Sequence, residues 1–290
     1  MTKTSLNYVH VDVFATDYLT GNGLAVFIDT EELSQDLMQQ LTQEMRQYES
    51  IFLSGITEHG AKARIFTVEE ELPFAGHPIL GAAAVLHRRL YPEEELKTWE
   101  LAVPVGNISV TTCRRGAAYL AEMNQGEATT GPLLPASALA PFLERLGLEP
   151  TDMPGALQAQ VISTGLPYLI VPVRSEALPR VAVRGGDLEP LLATIGAKFL
   201  LVLDTAACEL RTWDNLGRVE DIATGSAAGP VADYLFSHGL ADPDAPLVLA
   251  QGRFAGRPSK IHVRRDAGRN LFVSGEVWPF ASGSLGFDLP

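Results

Sequence analysis

The sequence predicts an α+β protein built as two pseudo-symmetric halves, each a curved mixed β-sheet wrapped around a central helix. Three observations carry that prediction. Short runs rich in β-branched and aromatic residues, bounded by Gly, Pro and Asn, recur along the whole 290-residue chain and outnumber helical patterns. The most apolar helical patterns follow two junctions, Glu71 to His77 and Glu220 to Ser226, that each run from strand through a Gly-containing turn into a helix of small residues. Laid on each other at an offset of 149 residues (225 − 76), these junctions pair Gly76 with Gly225, Glu71 with Glu220, Ala83 with Ala232 and Leu86 with Leu235.

The elements follow in order. Tyr8 to Phe14 and Leu24 to Ile28 read as an opening hairpin, with Tyr18 to Gly23 supplying the turn chemistry. Ser34 is a candidate N-cap for a helix whose face is Leu37, Leu41, Met45 and Tyr48, ending near Glu49 because Ile51-Phe52-Leu53 reads as strand. Arg64 to Val68 is another strand. Pro78 suits the first position of the next helix, with His77 as its N-cap, and Ile79 to Leu90 is the helix itself. Gly81, Ala82, Ala83 and Ala84 would let other backbone approach it closely. Residues 100–123 are strand-like, and the Ala/Pro/Leu-rich stretch from Thr129 to Pro154 reads as a domain crossing with one helix. The second half repeats the plan, with strand signals at Val161 to Val173, Phe199 to Val202 and Glu209 to Trp213, then a helix from the second junction to His238. Residues 247–287 return to strand, and a C-terminal strand crosses back to complete the first half. The expected boundaries are 1–125 plus about 278–290 for the first half and 126–277 for the second.

Acidic residues outnumber basic ones 35 to 22, a formal net charge of −13 that repels both a nucleic-acid backbone and an anionic membrane. The two cysteines, Cys113 and Cys208, form no C-x-x-C motif or Cys/His cluster, so neither a disulfide framework nor a zinc site is expected. No apolar run approaches the roughly 18 residues of a membrane span, and the amino terminus has no signal-peptide core. A cytoplasmic protein is expected. No P-loop, G-x-G-x-x-G or G-x-S-x-G occurs, which removes support for nucleotide and α/β-hydrolase chemistry.

The residues that remain point to an anion and a proton. If the halves are related by a pseudo-twofold axis, the helix starts at Gly76-His77 and Gly225-Ser226 can face each other across a cleft, and their N–H groups and dipoles would clamp a small carboxylate. Each start alone is simply a well-capped helix; two equivalent copies favour a site. Glu49, held at an element end, is a candidate general acid or base, although one Glu at a helix end is ordinarily solvated. His77 is an unusual N-cap, and Asp221 sits five residues before Ser226, where an acid also suits a helix dipole. Both cysteines read as small buried hydrophobes.

Together, Glu71 to Gly81 (ELPFAGHPILG), Glu220 to Ala228 (EDIATGSAA), Gly21-Asn22 ahead of Leu24-Ala25-Val26, Ser163 to Pro167 (STGLP), and Gln251-Gly252 with Gly256-Arg257-Pro258-Ser259 resemble the phenazine-biosynthesis PhzF family. The resemblance implies a diaminopimelate epimerase-like fold, a homodimer and cofactor-free proton transfer on a small anionic metabolite. It implies Glu49 as the proton-shuttling carboxylate, His77 and Asp221 as polar partners of the substrate, and Gly76, Gly225 and Ser226 as carboxylate-binding positions. The chain has Arg46-Gln47-Tyr48 before the acid, Gly23 and Ile222 where the family has Asn-x-Ser, Pro and Pro; Tyr48 would either reshape the pocket or pack in the core. Ala75-Gly76 and Thr224-Gly225 stand where related two-thiol epimerases carry cysteines, which excludes that mechanism. The first reading is an isomerase. The alternatives are a thiol-independent epimerase or racemase using Glu49 and Asp221 as opposite-face bases, and a non-catalytic small-molecule-binding protein.

Overall fold

The computed structural model describes residues 6–286. In chain order its first part holds β1 (Leu6–Val13), β2 (Asn22–Ile28), α1 (Gln35–Met45), β3 (Glu49–Ser54), β4 (Gly60–Thr67), β5 (Glu71–Leu72), α2 (Gly76–Leu90), β6 (Leu96–Val103), β7 (Gly106–Arg115) and β8 (Ala118–Asn124). There follow β9 (Thr129–Leu133), α3 (Ala136–Leu146), β10 (Gln160–Ser163), β11 (Pro167–Val173), α4 (Glu189–Ala193), β12 (Phe199–Asp204), β13 (Glu209–Thr212), α5 (Gly225–Ser237), β14 (Leu247–Gln251), β15 (Ser259–Arg265) and β16 (Leu271–Leu285). The chain folds into two compact units, one of residues up to Met123 and from Ser274 onward, the other of Asn124–Val273. Of the C-terminal strand expected at about 278–290, residues 287–290 lie outside the described residues.

In the first unit the strand order β1-β2-β3-β4-β6-β7-β8-β16, with β16 pairing back onto β1, closes eight strands into a barrel. Pairs β2–β3 and β4–β6 are parallel because α1 and α2 make the crossovers, whereas β1–β2, β3–β4, β6–β7, β7–β8 and β1–β16 are antiparallel. Helix α2 fills the interior, buried continuously from Gly76 to His87. Its small residues make this physically possible: a Cβ on Gly81 would lie 2.4 Å from Leu24 Cδ2 and 3.2 Å from Val11 and Val13. Outside the barrel, α1 covers an apolar patch of Ala25, Phe27, Phe52 and Phe66 with Met38 and Leu41, and Phe27 stacks on Phe52 with centroids 4.6 Å apart. Ser34 caps α1 through Leu37 N–H, as its sequence suggests.

The second unit repeats the plan as an open sheet, β15-β14-β13-β12-β11-β10-β9. Pairs β11–β12 and β13–β14 are parallel, their crossovers holding α4 and α5, just as α1 and α2 sit in the crossovers of the first unit. Helix α5 is buried from Ala227 to Phe236. A second apolar cluster around Phe142, Leu146, Leu169 and Val171 lies beneath α3. Among the described residues no helix is long and apolar enough to cross a membrane.

Four local expectations are corrected. Helix α2 starts at Gly76 with the extended Ala75 (φ −151°) as its N-cap, so His77 is the second helical residue and Pro78 the third. Proline costs nothing there, because the first-turn N–H groups have no intrahelical acceptor. Helix α1 ends at Met45, earlier than the apolar spacing implies, since Arg46 turns left-handed (φ 53°), and Tyr48 is 41% exposed instead of packing in the core. The stretch from Thr129 carries an edge strand, β9, hidden in the sequence by Gly131 and Pro132. Both cysteines are half-buried instead of fully buried.

Candidate active site

Glu49 opens β3 in the centre of the barrel's ladder, its backbone paired with Leu24 on one side and Thr67 on the other. Hydrogen-bonded backbone on both flanks fixes where its side chain starts. The carboxylate reaches α2, where Glu49 Oε2 lies 3.3 Å from His77 Nδ1, and both side chains are buried. Burial pushes the His77 pKa from 6.5 down to about 3, so the imidazole is neutral at pH 7 and this close approach is not an ion pair. At 3.3 Å the two groups are adjacent without a hydrogen bond of good geometry between Oε2 and the ring; a neutral imidazole has one nitrogen to donate and one to accept, so after a small rotation it can serve either state of the acid. His77 Nε2 is buried without a hydrogen bond among the described residues. The pair therefore offers a carboxyl group that can take and return a proton beside a neutral polar partner.

This lowered pKa has a measurable consequence. Between pH 6.5 and about 3 the unfolded chain protonates this histidine while the folded chain does not, so the associated stability is present above pH 6.5 and is lost as pH falls. Wild type should lose about 1.4 kcal/mol per pH unit relative to His77→Gln between pH 6 and 5. Urea denaturation of both proteins measures it; parallel stability curves would refute a neutral His77.

In the second unit the sequence-predicted residues gather at the start of α5. Thr224 is the N-cap, Gly225 the first helical residue and Ser226 the second. Ser226 Oγ lies 2.7 Å from Tyr168 Oη, and Gln125 Nε2 donates to Gly225 O at 2.9 Å. Asp221 Oδ2 accepts a short bond from Thr224 Oγ1, and Oδ1 accepts from Ala223 N–H at 3.4 Å. The buried Gln251 accepts from Thr224 N–H and donates to Asp221 O and to Thr224 Oγ1, each at 2.9 Å. Gly252 is required beside it: its φ is +84°, and a Cβ would lie 2.3 Å from Arg257 O and 2.5 Å from Ile222 O.

A matching brace stands behind each helix start. Arg64 grips Glu71 through two bonds of 2.7 and 2.6 Å, and Arg211 grips Glu220 through two of 2.9 and 2.7 Å. These forks tie the strand before each junction, β4 or β13, to the junction's first residue, Glu71 or Glu220. Glu71 thus serves a salt bridge to Arg64. Arg211 is the more deeply placed of the two arginines and also donates to the Leu178 and Val181 carbonyls.

The structure thus joins Glu49 with His77 in one unit and Asp221 with Gly225 and Ser226 in the other; Gly76 precedes His77 on α2. Sequence reasoning missed Thr224, Gln251, Tyr168 and Arg211. Thr224 and Gln251 lie inside motifs that carry the family resemblance, but nothing local marks them, because their partners are 27 residues apart along the chain. The altered residues before the acid also find a place. A Cβ on Gly23, where the family has Pro, would lie 2.4 Å from Gln47 Oε1, so Gln47 uses the space that Gly23 leaves.

Burial and the Asp204 charge push the Cys208 thiol pKa up, which disfavours the thiolate a nucleophile needs. Among the described residues no group of three or more His, Cys, Asp or Glu is arranged to hold a metal ion.

Comparison with known proteins agrees with this architecture. The family model described as phenazine biosynthesis-like protein matches residues 11–278. A trans-2,3-dihydro-3-hydroxyanthranilate isomerase of Pseudomonas fluorescens is 32% identical, over 96% of this chain and 99% of that protein. A solved structure from Pseudomonas aeruginosa described as a predicted epimerase is 47% identical with a TM-score of 0.90, covering 97% of this chain and 99% of that one. At 11% identity, a hydroxyproline epimerase of Agrobacterium vitis (TM-score 0.56, covering 100% of this chain and 94% of that one) shares the diaminopimelate epimerase-like fold. By motif, fold and full-length similarity, the chain belongs to the phenazine-biosynthesis PhzF family and is an isomerase.

Proposed function

We propose that the protein isomerises a small carboxylate-bearing metabolite by proton transfer without a cofactor, with Glu49 as the proton carrier. The single observation that supports this best is the buried Glu49 carboxyl 3.3 Å from the neutral His77. Removing a proton from carbon needs a base held in place against the substrate in a desolvated setting. Glu49 removes the proton from one carbon and returns it to another on the same face, so the double bond migrates and the enzyme ends as it began. The family resemblance gives Gly76, Gly225 and Ser226 as carboxylate-binding positions, and the free N–H groups of a helix's first turn suit that task. Asp221 and His77 hold its other polar groups.

The isomerase reading is preferred to the two-base epimerase by the state of Asp221. Its Oδ2 is already an acceptor for Thr224, which suits a holding role better than proton abstraction.

The test is a thermal-shift screen of cyclic and acyclic carboxylates, including trans-2,3-dihydro-3-hydroxyanthranilate, followed by incubation of the hits in deuterated water and NMR. Migration of a double bond with solvent deuterium at carbon supports the reading. Inversion of a stereocentre would favour the epimerase, and stabilisation without any exchange would favour a binding protein. Replacing Cys113 and Cys208 together by Ala should leave the rate within about twofold of wild type, given no thiol in the mechanism; a folded but inactive double variant would move the chemistry to a thiol.

A further inference from the structure

We infer that Gln251 and Thr224 are positioning residues that lock Asp221 Oδ2 as a hydrogen-bond acceptor, so that Asp221 receives an N–H or O–H from the substrate. This rests on the proposed isomerase reading and deepens it, because it adds a hydrogen-bond donor to the carboxylate among the features the substrate must carry.

The direction of every bond follows from donor and acceptor chemistry. The Thr224 backbone N–H can only donate and the Asp221 carbonyl can only accept, so the Gln251 amide has a single orientation: Oε1 toward Thr224 N–H and Nε2 toward Asp221 O. The second hydrogen of Nε2 then points at Thr224 Oγ1, 2.9 Å away. A hydroxyl that accepts from an amide has its one hydrogen left to give, and its other partner is Asp221 Oδ2. The relay Gln251 → Thr224 → Asp221 is therefore one-way. Gln251 is almost wholly buried, so the amide cannot turn away from its three bonds without leaving buried polar groups unpaired. A proton placed on Oδ2 would confront the Thr224 hydrogen. Oδ2 is thus held as an acceptor, the state in which a carboxylate can take a further hydrogen bond from a ligand's N–H or O–H and is badly placed to carry a proton itself.

Four variants test the relay: Gln251→Glu, which keeps shape but replaces the donor by an acceptor; Thr224→Val, which removes the hydroxyl; Thr224→Ser, which restores it; and the double variant Gln251→Glu with Thr224→Val. The first readout needs no substrate. The carboxyl 13C resonance of Asp221, assigned with Asp221→Asn, should move in Gln251→Glu and in Thr224→Val and return to its wild-type position in Thr224→Ser.

The second readout is turnover of trans-2,3-dihydro-3-hydroxyanthranilate. Gln251→Glu and Thr224→Val should each lose on the order of 10- to 100-fold in kcat/KM through misplacement of the substrate-binding carboxylate. The double variant should lose no more than either single one, and Thr224→Ser should recover most of the rate. An Asp221 resonance unmoved by Gln251→Glu, or strictly additive losses in the double variant, would overturn the relay. Absence of turnover by the wild-type protein would count against this substrate for the proposed reaction, and the resonance shifts would still decide the relay.

Discussion

Glu49→Gln is expected to lower turnover by roughly 100-fold or more while ligand binding persists. Gln keeps the length and branching of the side chain and still offers an oxygen or an N–H to His77 Nδ1, which lies 3.3 Å from the native carboxyl. What it loses is the ability to hold a proton taken from carbon. Steady-state kinetics should show the loss in kcat, with ligand-induced thermal stabilisation retained. A fall confined to KM would assign Glu49 to binding, and full activity would move the base to another residue.

Arg211→Leu is expected to destabilise the fold by on the order of 3–5 kcal/mol, because it strands a largely buried Glu220 and the Leu178, Pro179 and Val181 carbonyls that Arg211 serves. Its pseudo-symmetric counterpart supplies the control. Arg64 makes the same two-bond fork to Glu71, but its side chain is 36% exposed, so Arg64→Leu should cost only about 1 kcal/mol. Urea denaturation of the two variants compares them under one condition. Equal losses would mean that burial does not set the strength of these braces.

The pair of forks also shows what the sequence could and could not reveal. The 149-residue offset exposed the two junctions because identical residues survive there, and it paired Glu71 with Glu220. Their arginine partners are offset by 147 residues (211 − 64), so the same alignment passes them by. Glu49 and His77 were legible through the family motifs, but their 3.3 Å contact was not, since it depends on a parallel β2–β3 pairing and a barrel closed by a strand from the far end of the chain. His77 illustrates the limit of local rules. Placed before a proline it reads as an N-cap, yet Ala75 takes the extended conformation and the helix begins a residue before His77, which carries the imidazole into the buried interior. The Gln251 relay joins residues 27 positions apart, beyond any periodicity a single sequence displays.

The most direct measurement of the central claim is solvent deuterium uptake at carbon, followed by NMR, for a bound carboxylate substrate with wild-type protein and with Glu49→Gln at matched ligand saturation. Wild type should deliver deuterium to the carbon that gains the proton, and Glu49→Gln should bind the same ligand but slow uptake by about 100-fold or more. Uptake at the wild-type rate in Glu49→Gln would contradict the claim.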